Sequence, residues 1–205
     1  MSDRDEYIKT IISKMKDIRY VQPGEVPNID LYMDQVTKFM DEYLESSKRY
    51  SDDKLLTKTM INNYTKSDLL PSPQKKKYSK DHMYLLLLIY YLKNILSISD
   101  TKAILSPITE NFFKADRHSD TEDEVSLEDI YTEIFNIEHD QSYAITRDVA
   151  RKYEKSLDTF KDVPEGDERD LLQRFSFISM LCFDVYMMKQ MIGQIIDEYF
   201  TEEKE

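Results

Sequence analysis

Two groups of side chains between residues 57 and 77 can do chemistry on a polyanion. Lys58, Thr59, Asn62, Asn63 and Lys66 fall within KTMINNYTK, and Lys75, Lys76 and Lys77 form an unbroken cationic run further along. An asparagine amide can bond an adenine edge bidentately in the major groove of a duplex. A lysine ammonium grips phosphate, which positions a protein without reading sequence. Thr59 and Asn62 lie three apart, and Asn62 and Lys66 four apart, so one helical face carries all three. Asn63 sits about 100° further round the helix, which makes Asn62 the better placed base contact. The bland alternative is a set of ordinary solvated polar residues.

The elements that must hold these residues are also legible. Thr57 is a helix N-cap, because its hydroxyl can accept from an orphan amide of the first turn. Met60, Ile61 and Tyr64 mark a buried stripe at helical spacing. LLPSP ends that helix, since Pro71 and Pro73 lack donors and push their predecessors out of the helical region. Asp68 stands at the turn and tolerates left-handed geometry better than most residues. Gln74 to Lys77 then form a short basic loop without a glycine hairpin turn. Ser79 opens a helix from Lys80 to about Ile95 that is apolar almost all round, so it is buried on several sides. Tyr84, Tyr90 and Tyr91 sit at its edges, and His82 at its first turn is read as a surface residue. A short polar helix, a basic loop and an apolar prop, in that order, present themselves to DNA as a winged helix-turn-helix does.

INNYTKSDLLPSP, followed by Tyr78 and a leucine-rich helix, resembles the head of MerR-type regulators over Thr57 to about Leu105. A wider stretch, about Ile29 to Ile108, resembles an uncharacterised bacterial domain-of-unknown-function family that shares blocks like NIDLYMDQVTKF, LTKTMINNYTK and KKKYSKDH. The resemblance implies an all-α fold with a MerR-like winged helix-turn-helix head, and it implies no particular effector. Ten residues, Glu45–Lys54, stand where MerR heads have a tight turn. Lys48 and Arg49 in that insertion are candidates to reach a phosphate.

The formal net charge is −12, which argues against a polyanionic partner until its distribution is examined. Residues 48–80 carry nine Lys/Arg against three Asp, a local +6 that leaves −18 for the remainder. That asymmetry suits a basic reading surface on an acidic body; the alternative is a basic segment docked on the chain's own acids. The single cysteine, Cys182, cannot form an internal disulfide, and no Cys/His spacing suggests zinc. MYLLLLIYYL is about half the length needed to span a bilayer. The expectation is a cytoplasmic protein with no membrane segment, metal or cofactor.

The remaining chain reads as helices. Residues 1–20 form an amphipathic N-terminal helix, with VQPGEVP as a linker. The winged-helix domain is expected over 28–112, its first helix capped by Asn28 or Asp30 and running to about Ser46. SISDTKAIL follows as a short helix capped by Ser99 and ended by Pro107. Residues 113–125 are an acidic linker; Asp116, Asp120, Glu122 and Glu124 brush against a calcium loop but Thr121 and Leu127 break its pattern. A C-terminal helical region, a hairpin or bundle, covers 126–205. Ser126 and Asp129 make a capping-box-like start, HDQS is a candidate break, and VPEGD is a turn. The last helix carries an apolar stripe of Leu171/Leu172, Phe175, Ile178, Leu181/Cys182, Val185, Met188, Ile192, Ile195/Ile196 and Tyr199, read as buried, with Cys182 inert.

Enzyme classes find no support: the sequence has no Gly-rich phosphate loop, HExxH, GxSxG or nucleophile–His–acid cluster. The expected function is therefore a DNA-binding transcription regulator, not an enzyme, whose partner is double-stranded DNA. Its C-terminal helices would form a homodimer or sense an unspecified small-molecule effector. The rival is a helical protein-interaction module that keeps the winged-helix scaffold without binding DNA.

Overall fold

The computed structural model describes residues 3–16, 20–114 and 125–201. Regular structure there is helical apart from one pair of two-residue strands. In order come α1 (Asp3–Lys16), β1 (Leu31–Tyr32), α2 (Met33–Tyr43), α3 (Lys58–Lys66), β2 (Lys77–Tyr78), α4 (Lys80–Lys93), α5 (Ile98–Phe112), α6 (Leu127–Leu157) and α7 (Asp167–Tyr199). The chain forms two compact units: residues 18–137 with 196–205, and residues 1–17 with 138–195. The acidic stretch 116–124, with its calcium-like spacing, lies outside the described residues.

The first unit is built around α4. Met83 to Tyr90 are all buried, so this helix needs walls on every side. Leu31, Val36, Phe39, Met40, Ile61, Leu70 and Leu105 belong to the same core. β1 and β2 pair antiparallel in the register Leu31↔Tyr78 and Tyr32↔Lys77. That pairing explains why α2 starts at Met33 rather than at Asn28 or Asp30: the two residues before it are held extended. The amide of Tyr32 is satisfied by Gln35 Oε1 at 2.8 Å.

Of the tyrosines placed at the edges of α4 by the sequence, Tyr84 and Tyr90 are buried and Tyr91 is half-buried. Tyr84 is fully buried and its hydroxyl donates to the Pro23 carbonyl at 3.1 Å. Tyr91 accepts from the Val21 amide at 3.1 Å, and Tyr131 of α6 donates to the Val21 carbonyl at 2.6 Å. Buried phenols need such partners, because an orphaned backbone group in the core is costly. Residues 21 and 131 are thereby clasped together, and burial pushes the Tyr131 phenol far above its ordinary pKa.

His82 is also a correction: it is buried, not on the surface. Its Nδ1 accepts from the Ser79 amide at 3.0 Å, closing the start of α4. Tyr78 and Phe113 meet the imidazole edge-on, with centroids 5.5 and 4.7 Å away. Nε2 faces the Pro71 and Ser72 carbonyls without reaching good hydrogen-bond geometry. Ser97, not Ser99, caps α5 through the Asp100 amide at 3.1 Å. Pro107 lies inside that helix instead of ending it, because Leu105, Ile108 and Phe112 continue the packed stripe beyond it.

In the second unit α6 and α7 supply residues 138–157 and 167–195, and HDQS does not break α6. Gln173 caps the end of α6, donating to the Leu157 and Thr159 carbonyls at 2.9 and 3.1 Å. Lys152 pairs with Asp184 at 2.6 Å, and Tyr153 meets Phe177 edge-on. Ile8 and Ile11 of α1, with Val149, Phe177 and Leu181, line an apolar cavity of ≈ 760 Å³. The stripe expected to be buried on α7 is instead largely exposed, including Leu171, Phe175, Val185 and Met188, and Cys182 is exposed with it. By length and composition α7 could cross a membrane.

Burial holds the His82 imidazole neutral, with its pKa lowered to about 4 against the opposing pull of the Ser72 and Pro71 carbonyls and Asp30. Unfolded, it titrates near ~6.5, so between those values the unfolded chain binds a proton that the native chain refuses. The stability this contributes is complete above about pH 6.5 and is lost as pH falls through about 4, roughly 3 kcal/mol in all. Glutamine suits the same third helical position and can accept from the Ser79 amide. Urea denaturation at a series of pH values should show a shallower loss on acidification for His82→Gln than for the parent chain.

Candidate nucleic-acid interface

α3 forms where its sequence says it should. Thr57 is extended and its hydroxyl accepts from the Met60 amide at 3.2 Å. Ile61 and Tyr64 are buried against the core, which turns Thr59, Asn62, Asn63 and Lys66 outward, all exposed. Two residues past the end of α3, Asp68 turns the chain with a φ of 56° in the left-handed region. The Leu69 and Leu70 amides fold back on the Tyr64 carbonyl at 2.9 and 3.2 Å. Lys102 of α5 braces this end, donating to the Ser67 carbonyl at 2.7 Å.

The basic loop is a defined hairpin turn. Lys77 donates its amide to the Gln74 carbonyl at 2.8 Å, and the two residues between, Lys75 and Lys76, have φ of 48° and 65°. Two consecutive positive φ values make a type I′ turn, which normally takes Asn-Gly. Lysine there carries a Cβ penalty of about 1 kcal/mol or more per residue. The loop has no glycine, as expected, but it does close as a hairpin: Gln74 and Lys77 bridge antiparallel, and Lys77 also pairs with Tyr32 of β1.

The predicted site residues are not equivalent. Lys75, Lys76 and Lys66 are exposed, and among the described residues no acidic oxygen lies within 4 Å of their amines. Lys77 is half-buried, its amine 5.4 Å from the centre of the Tyr32 ring. Lys58 is ion-paired with Asp34 of α2, which the sequence did not single out because α2's polar face gives no hint of which side α3 packs on. Lys48 pairs with Asp41 at 3.3 Å instead of projecting freely. Arg49 remains exposed, its amide and that of Tyr50 held by the Asp53 carboxylate at 3.0 Å. α3 and β2 both pack on α2, so the polar helix face and the lysine turn share one support. The arrangement presents cations and amide groups with no cluster of three metal-binding side chains among the described residues.

The strain at the turn is measurable. Lys75→Asn with Lys76→Gly supplies the residues that this backbone prefers, so chemical denaturation should show the double variant more stable by about 1 kcal/mol.

No curated protein and no solved structure matches the chain. A family model, the Domain of unknown function DUF1836, matches residues 21–134, more than half of the chain and nearly the stretch 18–137 of the first compact unit. From the Val21 clasp through the lysine turn to Tyr131, the chain belongs to the DUF1836 family.

Proposed function

We propose that the domain spanning 21–134 binds double-stranded DNA as a MerR-like winged helix-turn-helix, and that the protein is a transcription regulator. The observation that carries this reading is an exposed polar helix face, Thr59, Asn62 and Lys66, on the same support as two exposed lysines held in a strained turn, without an acid partner among the described residues. Strained backbone persists only where its surroundings over-determine it, and such positions cluster at functional sites. In a chain of net charge −12, cations left without acids are poised for an outside polyanion.

The roles follow from chemistry. α3 lies in the major groove with Asn62 at a base edge and Thr59 and Lys66 flanking it. Lys75 and Lys76 take phosphates and fix the register; each phosphate contact releases counterions and makes affinity fall with salt. Lys77 supports the turn from the Tyr32 ring, and Lys58 is partly neutralised by Asp34. Asn63 contacts the backbone at the edge of the groove.

Fluorescence anisotropy of a labelled duplex, titrated with salt, tests this directly. Lys75→Ala with Lys76→Ala should reduce the slope of log affinity against log salt by about 1.8, the release expected for two phosphates. The Asn-Gly variant should lose the same slope while being more stable, which separates lost contacts from a damaged fold. An unchanged slope would remove the turn from the interface. Absence of duplex binding even at low salt would favour a protein-interaction module instead.

A further inference from the structure

Between α2 and α3 the chain makes a detour, Glu45–Lys54, whose two ends are sunk in the core. Leu44 is fully buried before it, and Leu55 and Leu56 are buried after it. The detour opens with a 3₁₀ turn, Glu45–Ser47, and its tip is closed by one carboxylate. Asp53 Oδ2 accepts from the Arg49 and Tyr50 amides, both at 3.0 Å, while the Asp53 amide donates to the Tyr50 carbonyl at 3.1 Å. With its backbone groups bonded internally, the tip is held in one turn. On it the Arg49 guanidinium lies over the Tyr50 ring, 5.2 Å from the centroid, and Tyr50 is 58% exposed. A planar guanidinium braced on an aromatic ring matches phosphate bidentately. Among the described residues no acidic oxygen lies within 4 Å of it. Of the neighbouring charges, Lys48 pairs with Asp41 at 3.3 Å, Asp53 is spent on the amides, and exposed Asp52 is matched by exposed Lys54.

α2 shows where this tip lies. Asp41 holds Lys48 of the detour, and Asp34 holds Lys58, the first residue of α3. Seven residues are about two helical turns, so the two aspartates share one flank of α2, roughly 10 Å apart along it. The detour and the first turn of α3 therefore border the same flank, with Arg49 next to Lys48 and Thr59 next to Lys58. A major groove is about 12 Å wide, so a cation offset by about 10 Å from the start of α3 meets the phosphates that wall it. We propose that Arg49, braced by Tyr50, takes a backbone phosphate beside the groove that α3 enters, at a point separate from the lysine turn. This rests on the DNA-binding reading of α3. Arg49 makes the contact, and Tyr50 is a positioning residue that holds the guanidinium flat.

Salt-titrated anisotropy of a labelled duplex with the full chain tests the contact. Arg49→Ala should lower the slope of log affinity against log salt by about 0.9, the release expected for one phosphate. Combined with Lys75→Ala and Lys76→Ala, the loss should reach about 2.7. Tyr50→Phe should match the parent, whereas Tyr50→Ala should lose slope as Arg49→Ala does. A neutral methylphosphonate, moved in turn along the duplex, should weaken the parent at one position where it leaves Arg49→Ala untouched. The urea midpoint of Arg49→Ala should equal the parent's, which separates a lost contact from a damaged fold. If the parent binds and Arg49→Ala keeps its full slope, the contact is overturned and the DNA-binding reading survives. If the parent shows no salt-dependent duplex binding, that reading fails and the contact fails with it. Tyr50→Ala indistinguishable from the parent would remove Tyr50 from its bracing role.

Discussion

A helix that is apolar on every side is stable only if something lies against each side, and α4 imposes that requirement on the whole 18–137 unit. α2, α3, α5 and the β1–β2 pair are its walls, and the segment around Val21 is drawn onto it by Tyr84, Tyr91 and Tyr131. The tyrosines matter because irregular backbone cannot be buried without partners; three phenols do for residues 21–23 what a ladder does for a strand. Only the outer faces of the walls remain for solvent. α3, packed inward through Ile61 and Tyr64, has nowhere to put its Asn and Lys side chains but outside.

The same packing accounts for two costly features near the candidate interface. His82 gives up its charge to sit between Tyr78 and Phe113, and in return fixes the first turn of α4 where LLPSP and β2 converge. Lys75 and Lys76 occupy left-handed backbone that glycine would take without penalty. Glycine could close the turn as well but would present no cation. The cost at Lys75 and Lys76 falls on residues that hold charge at the surface, which is the pattern expected where geometry is held for a purpose rather than for stability.

Much of this was readable from residues alone, and the reasons differ by element. The Thr57 cap, the Ile61–Tyr64 stripe and the positive φ at Asp68 are local: neighbouring side chains and backbone sterics decide them. The burial of α4 followed from a composition with no polar face. What escaped was set by tertiary context. His82 looks solvated until Phe113, over thirty residues away, closes on it. Pro107 looks like a stop until the packed stripe continues past it. The lysine turn lacks the Asn-Gly signature, so only the antiparallel bridge between Gln74 and Lys77 reveals a hairpin. The α7 stripe reads as buried from its periodicity, yet it is largely exposed; helical spacing marks an apolar face without saying what lies against it.

The central claim is that Asn62 reads a base while the lysine turn merely holds the strand. Selection of bound fragments from a pool of random duplex DNA tests it most directly. The account predicts an enriched motif in which one adenine position loses its preference for Asn62→Ala and keeps it for Asn63→Ala. A pool that stays unenriched, or a motif unaltered by Asn62→Ala, would contradict it.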